Sequence, residues 1–174
     1  MLITRIGSPS GEVITRGYHH PEPVGLMDDP ALLADPQQVR FSANNYYAAH
    51  MRNLGLMALA LDPADDADGS LAAYLNNAIG AYLYIFEHLT RHDSRGGLLP
   101  EGLEYSPQTI GYVTQFLLAL HTSGASYPAA ATLAANPFWS QSLTGYLHSL
   151  SPAPAAREEG GTLYQPAFYG DGQT

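Results

Sequence analysis

At Asp35-Pro36, Ser106-Pro107 and Asn136-Pro137 of this 174-residue chain a short polar residue is followed by proline and then by an apolar-rich run, and Asp29-Pro30 could open a single turn through "ALLA" in the same way. A Ser, Asp or Asn side chain can accept from the unpaired N–H groups at a helix start. Proline suits the first helical position, because it has no N–H to leave unsatisfied and its φ is already helical. A chain punctuated in this way is committed to helices with defined beginnings. After Asp35-Pro36, Gln38 occupies the third helical position, from which its side chain can return to the backbone of the cap residue.

The apolar spacing carries the helices onward. Tyr47, Met51, Leu54, Ala58 and Leu61 form one stripe of a helix predicted over residues 36–61, which Asp62-Pro63 discourages from continuing. Leu71, Leu75, Ala78, Tyr82, Ile85 and Leu89 do the same over 70–91, with Asp68 or Ser70 as cap. Ile110, Val113, Leu117 and Leu120 line a third helix from Pro107 to about His121, closed by Gly124, and a fourth covers about 137–149. Successive starts lie roughly 30 to 37 residues apart, the spacing of stacked helical hairpins. Before these, "LITRIG" and "EVITRGY" flank the turn "SPSG" as a small β-hairpin. The chain thus divides into an N-terminal hairpin and connector (1–34), a helical domain (35–150), and a linker with an aromatic tail (151–174). The tail is read as docking on another chain or as continuing into a longer protein.

Composition narrows the function classes. Sixteen acidic against seven basic residues give a net charge of −9, which repels nucleic-acid phosphates and anionic membranes. The absence of cysteine excludes thiolate metal sites and cysteine nucleophiles. No apolar run approaches the roughly 20 residues of a spanning helix, and the start lacks a signal-peptide core. The expectation is a soluble chain, cytoplasmic by default, with neither nucleic acid nor membrane as partner. No Walker, dinucleotide-binding or nucleophile-elbow motif is present, and no cofactor is expected.

Two groups of residues could carry chemistry. Within "NNYYAAHMRN", Tyr46, His50 and Asn53 share one helix face, and Asn45 and Arg52 share an adjacent one. Such a stripe is a solvated face, an inter-helix network or a ligand-lined cleft. In "GGLLPEGLEYSP", Glu101, Glu104 and Tyr105 precede a helix start. That position favours carboxylates electrostatically, and it also offers acid/base groups beside a flexible glycine backbone. His88 and His92 have the i, i+4 spacing of a metal clamp but lack the glutamate of a metalloprotease helix, so they are read as interacting with the helix C-terminus, with no metal expected. "DPADDADGS" departs from the calcium-loop pattern and is read as a solvated acidic linker.

The segments "NNYYAAHMRNLGLMALALD" and "YLNNAIGAYLYIFEHLTRHDSRGGLLPEGLEYSPQTIGYVTQFLLAL" resemble the helical toroid domains of heparinase II/III-like and alginate lyase-like polysaccharide lyases. The resemblance spans about residues 40–121. It implies an (α/α) toroid-like architecture and a carbohydrate-active protein that works by proton abstraction and β-elimination. On that analogy Asn44 or Asn45 would neutralise a uronate carboxylate. Tyr105 and His50 would exchange protons, with Glu101 and Glu104 as further catalytic candidates and Tyr46, Arg52 and Asn53 beside the sugar. The partner expected is a carbohydrate ligand, together with the remainder of a larger protein or a second copy of the chain. The other reading from the same residues is a non-catalytic helical scaffold or interaction subunit.

Overall fold

The structure is a computed structural model describing residues 29–123 and 132–167. It is mainly helical, with one small antiparallel sheet. The hairpin expected from residues 2–18 falls outside the described residues. The sheet that is seen lies at the other end of the chain, where β1 (Ala155–Ala156) pairs antiparallel with β2 (Thr162–Leu163). The turn between these strands uses Gly160 and Gly161, both at positive φ.

The helix predicted over 36–61 is broken. After a 3₁₀ turn at Pro30–Leu33, α1 covers Pro36–Phe41 and α2 covers Asn45–Ala60. Asn44 causes the break: it is extended, at φ −63 and ψ 131, and its side-chain oxygen accepts from the Tyr47 N–H. Asparagine competes for backbone groups in this way and so is better placed at a cap than inside a helix. Asp35 caps α1 as its sequence predicts, accepting from Gln37 N–H at 2.8 Å.

The acidic connector after α2 contains a short 3₁₀ turn at Pro63–Asp65, capped by Asp62. Two of its other carboxylates, Asp66 and Asp68, serve the next helix, α3 (Ser70–Arg91). Asp66 accepts from the Leu71 and Ala72 N–H groups, and Asp68 accepts from the Ser70 N–H and hydroxyl. Those Ser70 bonds hold the Asp68 carboxyl below its ordinary pKa. The cap position itself is Gly69, at positive φ and with no side-chain cap bond, rather than the expected Asp68 or Ser70; the helix start is covered from outside by Asp66 and Asp68.

Helix α4 spans Gly102–Thr122, starting five residues earlier than Ser106-Pro107 indicates. Burial explains the extra turn: Leu103 and Ser106 are in the interior, and the Ser106 hydroxyl donates to Leu99 O. Pro107 therefore sits inside the helix, where its missing N–H removes one intrahelical bond. Helix α5 covers Phe138–His148, and Asn136 accepts from the Phe138 N–H while donating to the Thr90 hydroxyl on α3.

Helices α2 and α3 form an antiparallel hairpin, because Tyr47 near the start of α2 packs edge-on against Tyr82 in the second half of α3. Helix α4 then lies parallel to α2. The side-chain bonds Asn45 to Gln108 and Arg52 to Gln115 both join residues 63 apart, so the two helices advance together. The core runs between these helices, with Met51, Leu75, Ile79, Leu83, Phe86 and Leu89 fully enclosed. Gly55 lets α2 and α4 approach closely, since a Cβ there would stand 2.3 Å from the Phe116 ring.

Candidate functional site

The polar stripe of α2 and the start of α4 meet along one seam. Glu101, immediately before α4, holds the beginning of α2: its Oε1 accepts from Asn44 Nδ2 at 2.6 Å and its Oε2 from the Asn45 backbone N–H at 2.7 Å. The carboxylate thus takes one of the N–H groups that a helix start cannot pair internally, and its charge suits the positive end of the α2 dipole. Nearly two turns into α4, Gln108 Oε1 accepts from Asn45 Nδ2 at 3.1 Å. Below this, the buried Thr109 hydroxyl donates to Ala43 O at 2.8 Å. The start of α2 is therefore tied to α4 at several points.

Two turns further along, the Arg52 guanidinium donates to Gln115 Oε1 and Asn53 Oδ1 and lies 4.6 Å from the centroid of the Tyr112 ring. A cation over an aromatic face gains about 0.5–1 kcal/mol at an exposed site. Tyr105 stands four residues after Glu101 and three before Gln108, on the stripe of α4 turned to α2, and is half-buried. Glu104 is exposed in the first turn of α4. The "EGLEY" segment is thus largely helical, with Glu101 as the cap residue.

The structure brings together Asn44, Asn45 and Glu101, and separately Arg52 and Asn53. Gln108, Tyr112 and Gln115 join them from α4, and sequence reasoning had not singled these out. Their spacing with Tyr105, at i, i+3, i+7 and i+10, was the available signal. It marks a polar stripe on α4 like that of α2, although which stripe faces which depends on the packing.

His50 is placed elsewhere. At about 100° per residue it lies roughly 140° around α2 from Asn45, on the flank away from the seam. Its Nε2 is buried without a hydrogen-bond partner, and burial lowers its pKa below the ordinary 6.5. Tyr46, four residues earlier, is 80% exposed.

The Gly96-Gly97 approach has a packing cause. Gly97 has φ +97, and a Cβ there would stand 2.2 Å from the Ser142 backbone on α5. The close backbone approach that these glycines permit is made to a helix of the same chain. Gln141 Oε1 also accepts from Gly96 N–H. Beside this contact an open groove of about 350 Å³ runs along α5, lined by Ser140, Thr144 and His148 among others.

Among the described residues, no three His, Cys, Asp or Glu side chains converge as a metal site, and no helix is long and apolar enough to cross a membrane. No protein-family model, curated protein or solved structure matches the chain.

Proposed function

We propose that this chain is a helical-hairpin scaffold module, built to position surfaces within a larger assembly, and that the polar α2–α4 seam is structural. The observation that carries this reading is the engagement of Glu101: each of its carboxylate oxygens accepts a short hydrogen bond from the start of α2. A carboxylate used in this way fixes helix geometry. Taking up a proton would break the clasp, which suits a structural part better than an acid/base catalyst. The same holds for Asn44, whose amide nitrogen donates to Glu101 while its oxygen caps α2.

The test compares Glu101→Ala with the unaltered chain. The scaffold reading expects a loss of about 1.5–3 kcal/mol, the range for hydrogen bonds to a charged group, seen as a lower denaturation midpoint. It also expects no unsaturated product, followed by absorbance, when either protein is incubated with uronate polymers. Turnover by the unaltered chain that Glu101→Gln abolishes at unchanged stability would overturn it.

A second reading, a carbohydrate-active protein acting by proton abstraction and β-elimination, is favoured by one observation. His50 is held towards its neutral, proton-accepting form with Nε2 unpartnered, and the exposed Tyr46 ring lies one turn away. A polyhydroxylated ligand could lie across that flank, with the aromatic ring as an apolar platform. Product formation lost in His50→Gln, in a variant of unchanged helical content, would support this reading; silence across uronate polymers would remove it.

A further inference from the structure

The last turn of α3 holds two imidazoles that no part of the seam uses. His88 and His92 are four residues apart on one helix face, and their ring centroids lie 4.2 Å apart with the planes tilted by 36°. The two rings thus already lie side by side, both side chains projecting into the same space from one face of the helix. The His92 N–H donates to His88 O at 3.1 Å, which fixes the backbone between them. The surrounding charges are balanced in pairs: Glu87 is bonded to Arg91 of the same helix, and Asp93 to Arg40 of α1 at 2.8 Å. The helix C-terminus adds a partial negative charge, which favours a cation, within a chain of net charge −9; Arg95, three residues beyond His92, brings one positive charge of its own.

We infer that His88 and His92 form a two-imidazole site for a divalent d-block cation of the Ni²⁺, Cu²⁺ or Zn²⁺ class. Histidines at i, i+4 project to the same side of a helix and can each give one nitrogen to a shared ion. Imidazole selects these ions over Mg²⁺ and Ca²⁺, which require oxygen donors. Because no third ligating side chain converges there among the described residues, water fills the other coordination positions. The ion is therefore exchangeable and open to a donor from another molecule.

Calorimetric titration of the whole chain with NiCl₂, CuCl₂ and ZnCl₂ near neutral pH tests the site, with MgCl₂ as control. The expected result is saturable binding of one transition-metal ion and none of Mg²⁺. Affinity should fall at least about tenfold in His88→Ala and in His92→Ala, a loss at the lower end of that seen on disturbing metal-site histidines. His92 is exposed, so its variant should keep the helical signal of the parent. The Cu²⁺-loaded parent should show coupling to two nitrogens by paramagnetic resonance, reduced to one in His92→Ala. The chain carries one other close pair of histidines, the adjacent His19 and His20 of the N-terminal connector. Three outcomes overturn the assignment: no saturable binding, undiminished affinity in the double variant, or binding removed by His19→Ala with His20→Ala while His88→Ala and His92→Ala leave it intact.

Discussion

Gly55 and Phe116 set the separation of α2 and α4 through a single missing methyl group. The Phe116 ring is buried and packed, and it already occupies the space that a Cβ at Gly55 would need. Gly55→Ala is therefore expected to destabilise by about 1–3 kcal/mol, the usual cost of overpacking a core, even though alanine is the better helix former. The effect should shrink when Phe116→Leu is added, and chemical denaturation of both single variants and the double variant measures that coupling. Gly97 is less forgiving. Its neighbour is backbone, and its φ of +97 is one that side-chain-bearing residues rarely adopt.

At the scale of elements, the start of α3 depends on a residue outside the helix. Asp66 takes two of the first N–H groups of α3, at 3.1 and 2.8 Å. Asp66→Ala should cost about 0.5–2 kcal/mol, as for other helix caps, and should speed amide exchange in the first turn of α3 while leaving its last turn unchanged. The helices themselves were legible in the sequence because their apolar periods are long. Residues 70–91 appear as α3 with the predicted bounds, and Leu75, Ala78, Tyr82, Ile85 and Leu89 are buried as their stripe requires, whereas Leu71, in the first turn, is exposed. Boundaries were less legible wherever a local signal competed with packing. Asn44 divides a run whose apolar stripe reads as continuous, and Ser106-Pro107, a sound helix start in isolation, is overridden by the buried turn before it. The seam was half legible. Its α2 residues stand out as a polar stripe, whereas their partners on α4 are fixed by a 63-residue offset that only the packed helices define.

For the whole molecule, two half-buried histidines and three buried tyrosines bound the pH range of stability. His50 and His88 are both held below the ordinary histidine value of 6.5, chiefly by burial. As pH falls through about 6.5 the unfolded chain takes up protons that the folded chain does not, so stability should decline on the acid side. At the other limit, burial pushes the Tyr74 phenol up to about 12 and raises those of Tyr47 and Tyr82 well above the ordinary 10. Above pH 10 the unfolded tyrosines ionise first, and stability should decline again as pH rises. Denaturation midpoints across this range check both limbs. His50→Phe should flatten the acid limb, and phenolate absorbance should show these tyrosines ionising only as the fold is lost. The Glu101 clasp also bears on how the molecule is made. The bond that closes the first N–H of α2 comes from a residue 56 positions further on, which a ribosome adding about 5–20 residues per second reaches roughly 3 to 11 seconds later. Through that interval a nascent chain holds the start of α2 by local bonds alone, the Asn44 cap and the Asn45 side-chain oxygen that accepts from Tyr46 N–H. A chain released before residue 101 would begin α2 frayed, however well α2 and α3 had already paired.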